Sequence, residues 1–392
     1  MKFTTDGVER KSYYQMTEGE GFLCLTQMLS YNKTTNIILG QRSGGKSTSA
    51  SLLLLTDWIK EYEKGNPCTF IYVRVTDKDL AKSKKGYFDQ PTEIMQYSGW
   101  GQGWYIDCRG EEFYMVQEHT ELDKDGKEIT VKEEKLCGYC MALNLQGSQK
   151  SGKDFSWSKW MLIEEFIPDK KNENVLKKAK FHDMFNLFMS ANRMPGNPYK
   201  NHYGLRVILL GNNSTYQSDI YKGLGIDKFL RCETHWLRPK DKDWILWQMN
   251  MDDTPKLSEA FKEAASFKMA QDDENEMNFA FFNKSEESRN DSLIIKDNTD
   301  KTPVFNFIYD GKTFGVWHSS AKDYTYYISK KVCPNTLNIA LTLSDHTPTT
   351  KYIKGGEPLI YWSRLTDAIS DGDVRYASWE CKSAIDNFQK WE

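Results

Sequence analysis

Two short stretches carry residue types whose spacing suits catalysis. Gly40 to Ser47 reads GQRSGGKS, which fits the G-x-x-x-x-G-K-[ST] spacing of a phosphate-binding loop. In such a loop Gly40, Gln41, Arg42, Ser43, Gly44 and Gly45 wrap backbone N–H groups around phosphate oxygens. The glycines allow this because no Cβ stands in the way. Lys46 would reach the β- and γ-phosphates, the Ser47 hydroxyl would coordinate Mg²⁺, and Thr48 follows in the first helical turn. The plain alternative is a glycine-rich turn before a helix.

The second stretch is SKWMLIEEFIPDKK, residues 158 to 171, where the apolar run Trp160 to Ile163 meets Glu164 and Glu165. A nucleotide site needs an acid at a strand end to hold the metal. It also needs a carboxylate that orients the attacking water. Glu164 fits the first role and Glu165 the second, although the usual metal acid is Asp, one methylene shorter. Without a nucleotide, the pair is only a polar strand end meeting solvent.

Other candidates are weaker. Asn212, in LLGNN, would end a core strand and sense the γ-phosphate. Arg193, in FMSANRMPGNP, sits in a turn after a helix, either solvated or reaching a neighbouring subunit's site. Lys150 and Lys153 lie in a Gly/Ser-rich loop, LQGSQKSGKDFSW, which could touch a DNA backbone or simply face solvent. No N-K-x-D or T-K-x-D follows a late strand, so ATP is expected rather than GTP.

These residues need elements to position them. TNIILG (35 to 40), CTFIYVRV (68 to 75), KWMLIEEF (159 to 166) and LRVILLGNN (205 to 213) read as strands, and KSTSASLLLLTDWIKEYEKG (46 to 65) as a helix with a glycine stop. Their alternation implies an α/β fold with a mostly parallel sheet. A β-hairpin insertion is expected over 104 to 134, residues 241 to 271 are helical in composition, and 272 to 292 form an acidic exposed segment. Beyond Pro303 the chain is β-rich. A hairpin turns at Asp310-Gly311, and a closing helix is expected in DVRYASWECKSAIDNFQKW.

A length of 392 residues suggests two or three domains. The expected division is 1–227, a P-loop ATPase domain, then 228–300, a helical linker, then 301–392. A composition 39% hydrophobic and 27% charged is that of a soluble globular protein. No apolar run spans a bilayer and the N-terminus lacks a signal-peptide core, so a cytosolic protein without membrane contact is expected. The eight cysteines should stay reduced there, and Cys137 and Cys140 read as structural rather than zinc-binding. A net charge of −3 leaves DNA contact to local patches.

The ordered set of motifs resembles the DNA-packaging motor ATPases of small short-tailed phages of the picovirinae type, terminase-like enzymes with an additional strand and a catalytic glutamate. It comprises MLSY (28 to 31), FIYVR and LAK (70 to 74 and 80 to 82), EEF (164 to 166), NR (192 to 193), GNN (211 to 213) and VFNFIYDGKTFGVW (304 to 317). The resemblance implies a homo-oligomeric, pentameric ring at the portal vertex of a prohead in the infected host's cytoplasm. That ring would use ATP and Mg²⁺ to pump double-stranded DNA, with a packaging RNA as a further partner. It implies that Arg193 is a trans-acting arginine finger and Glu165 the catalytic glutamate. Glu164 stands where the family has Asp. The C-terminal domain would be a ribonuclease-H-like α+β fold that binds DNA or portal and has lost nuclease activity. Asp345, at a strand end, is the acid there that most resembles a surviving nuclease residue. A cellular-type DNA translocase or helicase, and a nucleotide-dependent assembly switch with little turnover, are the alternatives.

Overall fold

The computed structural model describes residues 9–19, 21–40, 44–101, 103–122, 128–145, 153–167, 180–192, 202–212, 218–226, 235–249, 253–263, 293–354 and 356–389. The chain divides into two compact units, 1–224 with 233–286, and 225–232 with 287–392. Among the described residues no helix is long and apolar enough to cross a membrane.

The first unit is built on β1 (Thr35–Leu39), β2 (Thr69–Arg74), β3 (Trp104–Arg109), β4 (Glu112–Leu122), β5 (Glu128–Ala142), β6 (Ser158–Glu164), β7 (Arg206–Gly211), β8 (Trp236–Leu237) and β9 (Trp244–Gln248). They form one nine-stranded sheet in the order β3-β4-β5-β2-β6-β7-β1-β9-β8. The central strands are parallel and buried on both faces, which is why Ile37–Leu39, Phe70–Val73, Trp160–Ile163 and Val207–Leu210 are apolar without alternation. β3, β4 and the first half of β5 form the antiparallel extension, and Gly138–Ala142 of β5 then joins β2 in parallel.

The helix Lys46–Glu63 covers the sheet with Leu52, Leu54, Leu55 and Trp58, all buried. Each such leucine contributes about 1.5–3 kcal/mol by leaving water. The helix stops where Gly65 takes φ +75° and its N–H bonds the Tyr62 carbonyl at 2.8 Å, a left-handed cap.

One expectation is corrected here. Within the stretch 241–271 read as helical, Trp244–Gln248 is strand β9, parallel to β1, and a helix forms only at Pro255–Glu263. WILW is apolar at every position, a pattern that suits a buried strand as well as a buried helix; the open edge of β1 decides between them. Residues 264–292, with the whole acidic segment, lie outside the described residues.

The second unit holds β10 (Lys301–Tyr309), β11 (Lys312–Ser319), β12 (Tyr326–Ser329), β13 (Leu337–Ala340), β14 (Lys351–Tyr352) and β15 (Val374–Tyr376), in the order β14-β13-β10-β11-β12-β15. β10, β11 and β12 are an antiparallel meander, with β13 and β14 added in parallel beside β10. Asp310 and Gly311 turn the first hairpin with φ of +52° and +69°. Asp345 is buried and accepts from the N–H groups of both turn residues, at 3.0 and 2.8 Å, and from the Thr342 hydroxyl at 2.6 Å. The closing segment is also corrected: it begins with strand β15 on β12, and its helix spans Trp379–Gln389. A further helix, Gly356–Ser370, packs Trp362 and Leu365 into this core.

Candidate functional site

The site is built at the ends of three neighbouring strands. Register pairs Leu39 of β1 with Gly211 of β7, and Leu210 of β7 with Glu164 of β6. Gly40, Asn212 and the two glutamates therefore emerge at one edge of the sheet. The acid-bearing strand is not adjacent to the phosphate-loop strand, because β7 runs between them. Gly40 is required for packing as well as for the loop: a Cβ there would lie 2.0 Å from Met249 Cγ. Gly45 takes φ +73° and starts the helix Lys46–Glu63 without any side-chain cap, leaving its first N–H groups to face an anion. Lys46 is buried, and its Nζ donates to the Gly40 carbonyl at 2.9 Å and to Asn212 Oδ1 at 3.4 Å.

Around these atoms lies a cavity of about 690 Å³, lined among others by Gly44, Gly45, Thr48, Gln90, Glu165 and Leu257. Glu164 is at its floor, and both of its oxygens accept hydrogen bonds. Oε1 takes the Ser47 hydroxyl and, at 3.3 Å, the Tyr87 hydroxyl. Oε2 takes the Tyr72 hydroxyl at 3.1 Å and Arg74 Nη1 at 2.8 Å. The other nitrogen of the same guanidinium, Nη2, bonds Glu165. Burial works against the Arg74 charge, but Tyr72, Glu165 and Glu164 outweigh it and hold its pKa above the ordinary value. Burial, and then the Glu164 charge, push both tyrosine hydroxyls well up, so they remain donors.

Glu165 adopts φ +51°, a left-handed conformation that costs a residue with a Cβ about 1–2 kcal/mol. Along a strand, adjacent side chains point to opposite faces. The left-handed turn breaks that alternation and brings the second carboxylate to the guanidinium that already holds the first. The Glu165 side chain is 60% exposed while Glu164 is 9% exposed, so one acid is buried against the helix and the other stands in the cavity.

An ammonium, a hydroxyl, a buried carboxylate and an uncapped helix start around one cavity fit a nucleotide phosphate with its Mg²⁺. The sequence has relatives that match it along most of its length. It is 22% identical over 352 residues to the DNA packaging protein of Bacillus phage phi29, covering 89% of this chain and 91% of that one. It is 24% identical over 356 residues to the DNA packaging protein of Bacillus phage B103, covering 89% and 94%. This chain is similar to these phage DNA-packaging proteins along most of its length. Its fold is shared with the bacteriophage phi29 viral genome packaging motor assembly, at TM-score 0.66 and 20% identity over 95% of this chain and 99% of that one. It is shared more loosely with the phi28 DNA packaging motor, at TM-score 0.52 and 14% identity over 94% and 96%. No family model matches the sequence.

The described residues bring Gly40, Gly44, Gly45, Lys46, Ser47, Thr48, Glu164, Glu165 and Asn212 to one place. Gln41, Arg42, Ser43, Lys150 and Arg193 lie outside the described residues. Lys153, read as a DNA contact, is 9% exposed and ion-paired with Glu111. Cys137 and Cys140 are buried, and the Cys137 thiol donates to the Phe113 carbonyl at 3.3 Å. Three groups were not singled out from the sequence: Arg74, Tyr72 and Tyr87. Arg74 ends FIYVR, and a cation closing an apolar strand was a usable signal, but only the pairing of β2 with β6 sets it beside the glutamates.

Proposed function

We propose that this chain is the ATP-hydrolysing subunit of a phage DNA-packaging motor, which drives double-stranded DNA into a preformed prohead. The observation that carries the reading is the convergence of Lys46, Ser47, Glu164 and Glu165 on one cavity, in a chain homologous to packaging proteins along most of its length.

In this reading Lys46 and the first N–H groups of its helix bind the β- and γ-phosphates, and Asn212 stands beside Lys46 to meet the terminal phosphate. Ser47 and Glu164 would hold Mg²⁺, which when bound neutralises charge on the phosphates. Glu165 orients the attacking water and takes its proton. Arg193 would act in the neighbouring subunit of a ring, pentameric by analogy, and DNA contact would fall to Lys150 rather than to the ion-paired Lys153. The portal and a packaging RNA are further proposed partners. The meander with two parallel strands on one flank supports a ribonuclease-H-like reading of the second unit. The engagement of Asp345 by a hairpin turn supports the absence of nuclease activity.

The test is ATP hydrolysis with and without double-stranded DNA in the wild type, Lys46→Ala, Glu165→Gln and Arg193→Ala. Loss in all three is expected, with recovery when Glu165→Gln and Arg193→Ala subunits are mixed. Wild-type rates in Glu165→Gln overturn the mechanism. A prohead-dependent packaging assay separates the motor from a general translocase, and slow turnover in the wild type would favour an assembly switch.

A further inference from the structure

Two of the four donors to Glu164 are hydroxyls carried by rings of an aromatic cluster. Tyr72 and Tyr87 pack against each other with centroids 4.3 Å apart and planes tilted by 35°, and they belong to a cluster with Phe70, Phe88 and Phe113. Every other ring in that cluster is a phenylalanine. Tyr72 is wholly buried, and a buried hydroxyl must find a partner or lose its hydration without return. Both hydroxyls reach the same carboxylate: Tyr72 lies 3.1 Å from Oε2, with Ser83 Oγ a second neighbour at 3.1 Å, and Tyr87 lies 3.3 Å from Oε1.

The position they serve is itself unusual. Glutamate has one more rotatable bond than aspartate, so an unsupported Glu164 would sample more arrangements around Ser47 and lose more entropy on meeting a cation. We infer that Tyr72 and Tyr87 are positioning residues that hold the longer Glu164 carboxylate against Ser47, making a glutamate serviceable where the magnesium–nucleotide is gripped. This rests on the proposed ATPase reading and adds to it the reason why a glutamate works there. Arg74 supplies charge to the same carboxylate but holds one oxygen only, while the tyrosines restrain one oxygen each.

The experiment measures equilibrium binding of a fluorescent, non-hydrolysable ATP analogue, with magnesium and with EDTA, alongside the magnesium dependence of hydrolysis. The variants are Tyr72→Phe, Tyr87→Phe, their combination, and each in a Glu164→Asp background. Phenylalanine keeps the ring cluster filled, and thermal melting checks folding. Should the double variant fail to fold, the single variants give the reading. The inference expects each hydroxyl removed to weaken magnesium-supported affinity about tenfold, the scale of one hydrogen bond to a charged group. Affinity in EDTA should stay unchanged. With Glu164→Asp, whose carboxylate is too short to meet the tyrosines and Ser47 together, removing the hydroxyls should have no further effect. Equal losses with magnesium and EDTA, or full additivity with Glu164→Asp, would show that the tyrosines only pack the core. Lack of any magnesium-supported binding in the wild type overturns the ATPase reading as well. Normal binding in the double Phe variant overturns this inference alone.

Discussion

The Ser47 hydroxyl is bonded to the Glu164 carboxylate across 117 residues of sequence, joining the first turn of a helix to the end of a strand two places away in the sheet. This bond unites the two halves of the site, and its chemistry is that of a cation seat: a hydroxyl and a carboxylate, both hard oxygen donors. Ser47→Ala and Glu164→Gln should each lower hydrolysis on the order of 10²-fold, with half-saturation moved to higher magnesium. Steady-state assays over a magnesium series would reveal a wrong assignment as unchanged magnesium dependence.

Arg74 bridges a buried and an exposed carboxylate, so its removal strands Glu164 with neutral donors only. Arg74→Ala should destabilise the protein by about 3 kcal/mol, the cost of leaving a buried charge without its partner. Arg74→Lys keeps the charge but cannot span both acids, since an ammonium is a point donor. It should therefore retain most of the stability and lose activity. Urea unfolding, read beside hydrolysis, distinguishes these outcomes.

Gly40 illustrates a steric requirement that the loop motif alone does not express. Gly40→Ala should abolish nucleotide binding because its methyl group meets Met249, 2.0 Å away at Cγ. Shortening the neighbour, in Gly40→Ala with Met249→Ala, should restore part of the affinity. An inert double variant would mean that the glycine is needed for the loop's own conformation.

The Cys108 thiol is lowered to about 7, chiefly by a hydrogen bond from Cys140, with Lys84 assisting against the cost of burial. Since the thiolate is the nucleophile, alkylation should grow as pH rises through about 7 and fall away below it. Cys108 should be modified before Cys137, which is buried and raised well above its usual value by desolvation. Peptide mass spectrometry after brief iodoacetamide treatment at several pH values tests the order, and preferential labelling of Cys137 would contradict it.

In the second unit, Asp345 caps the Asp310-Gly311 turn. Asp345→Ala removes the acceptor of two N–H groups in an exposed turn, and each hydrogen bond lost costs about 1 kcal/mol. The expected result is a lowered melting temperature, with nuclease assays blank in both wild type and variant. Metal-dependent DNA cleavage lost in Asp345→Ala would instead make it catalytic.

Local chemistry was legible in the residues themselves. GQRSGGKS between a strand and a helix announces a phosphate loop because glycine, lysine and serine at those spacings serve one purpose. The Gly65 stop and the Asp310-Gly311 hairpin are likewise local, set by φ values that a few residues determine. An all-apolar run carries no such information, which is why Trp244–Trp247 read as helix until β1 offered it an edge. Nor does order along the chain say which strand lies beside which. Arg74 and Tyr72 meet Glu164 only because β2 pairs with β6, Tyr87 reaches it from the turn ahead of the helix Asp89–Tyr97, and Glu164 meets Ser47 only because β7 sets the spacing between β6 and β1. Sequence by itself determined the reactive groups and the elements that bear them. Their meeting was decided by sheet order, which depends on contacts between segments scores of residues apart.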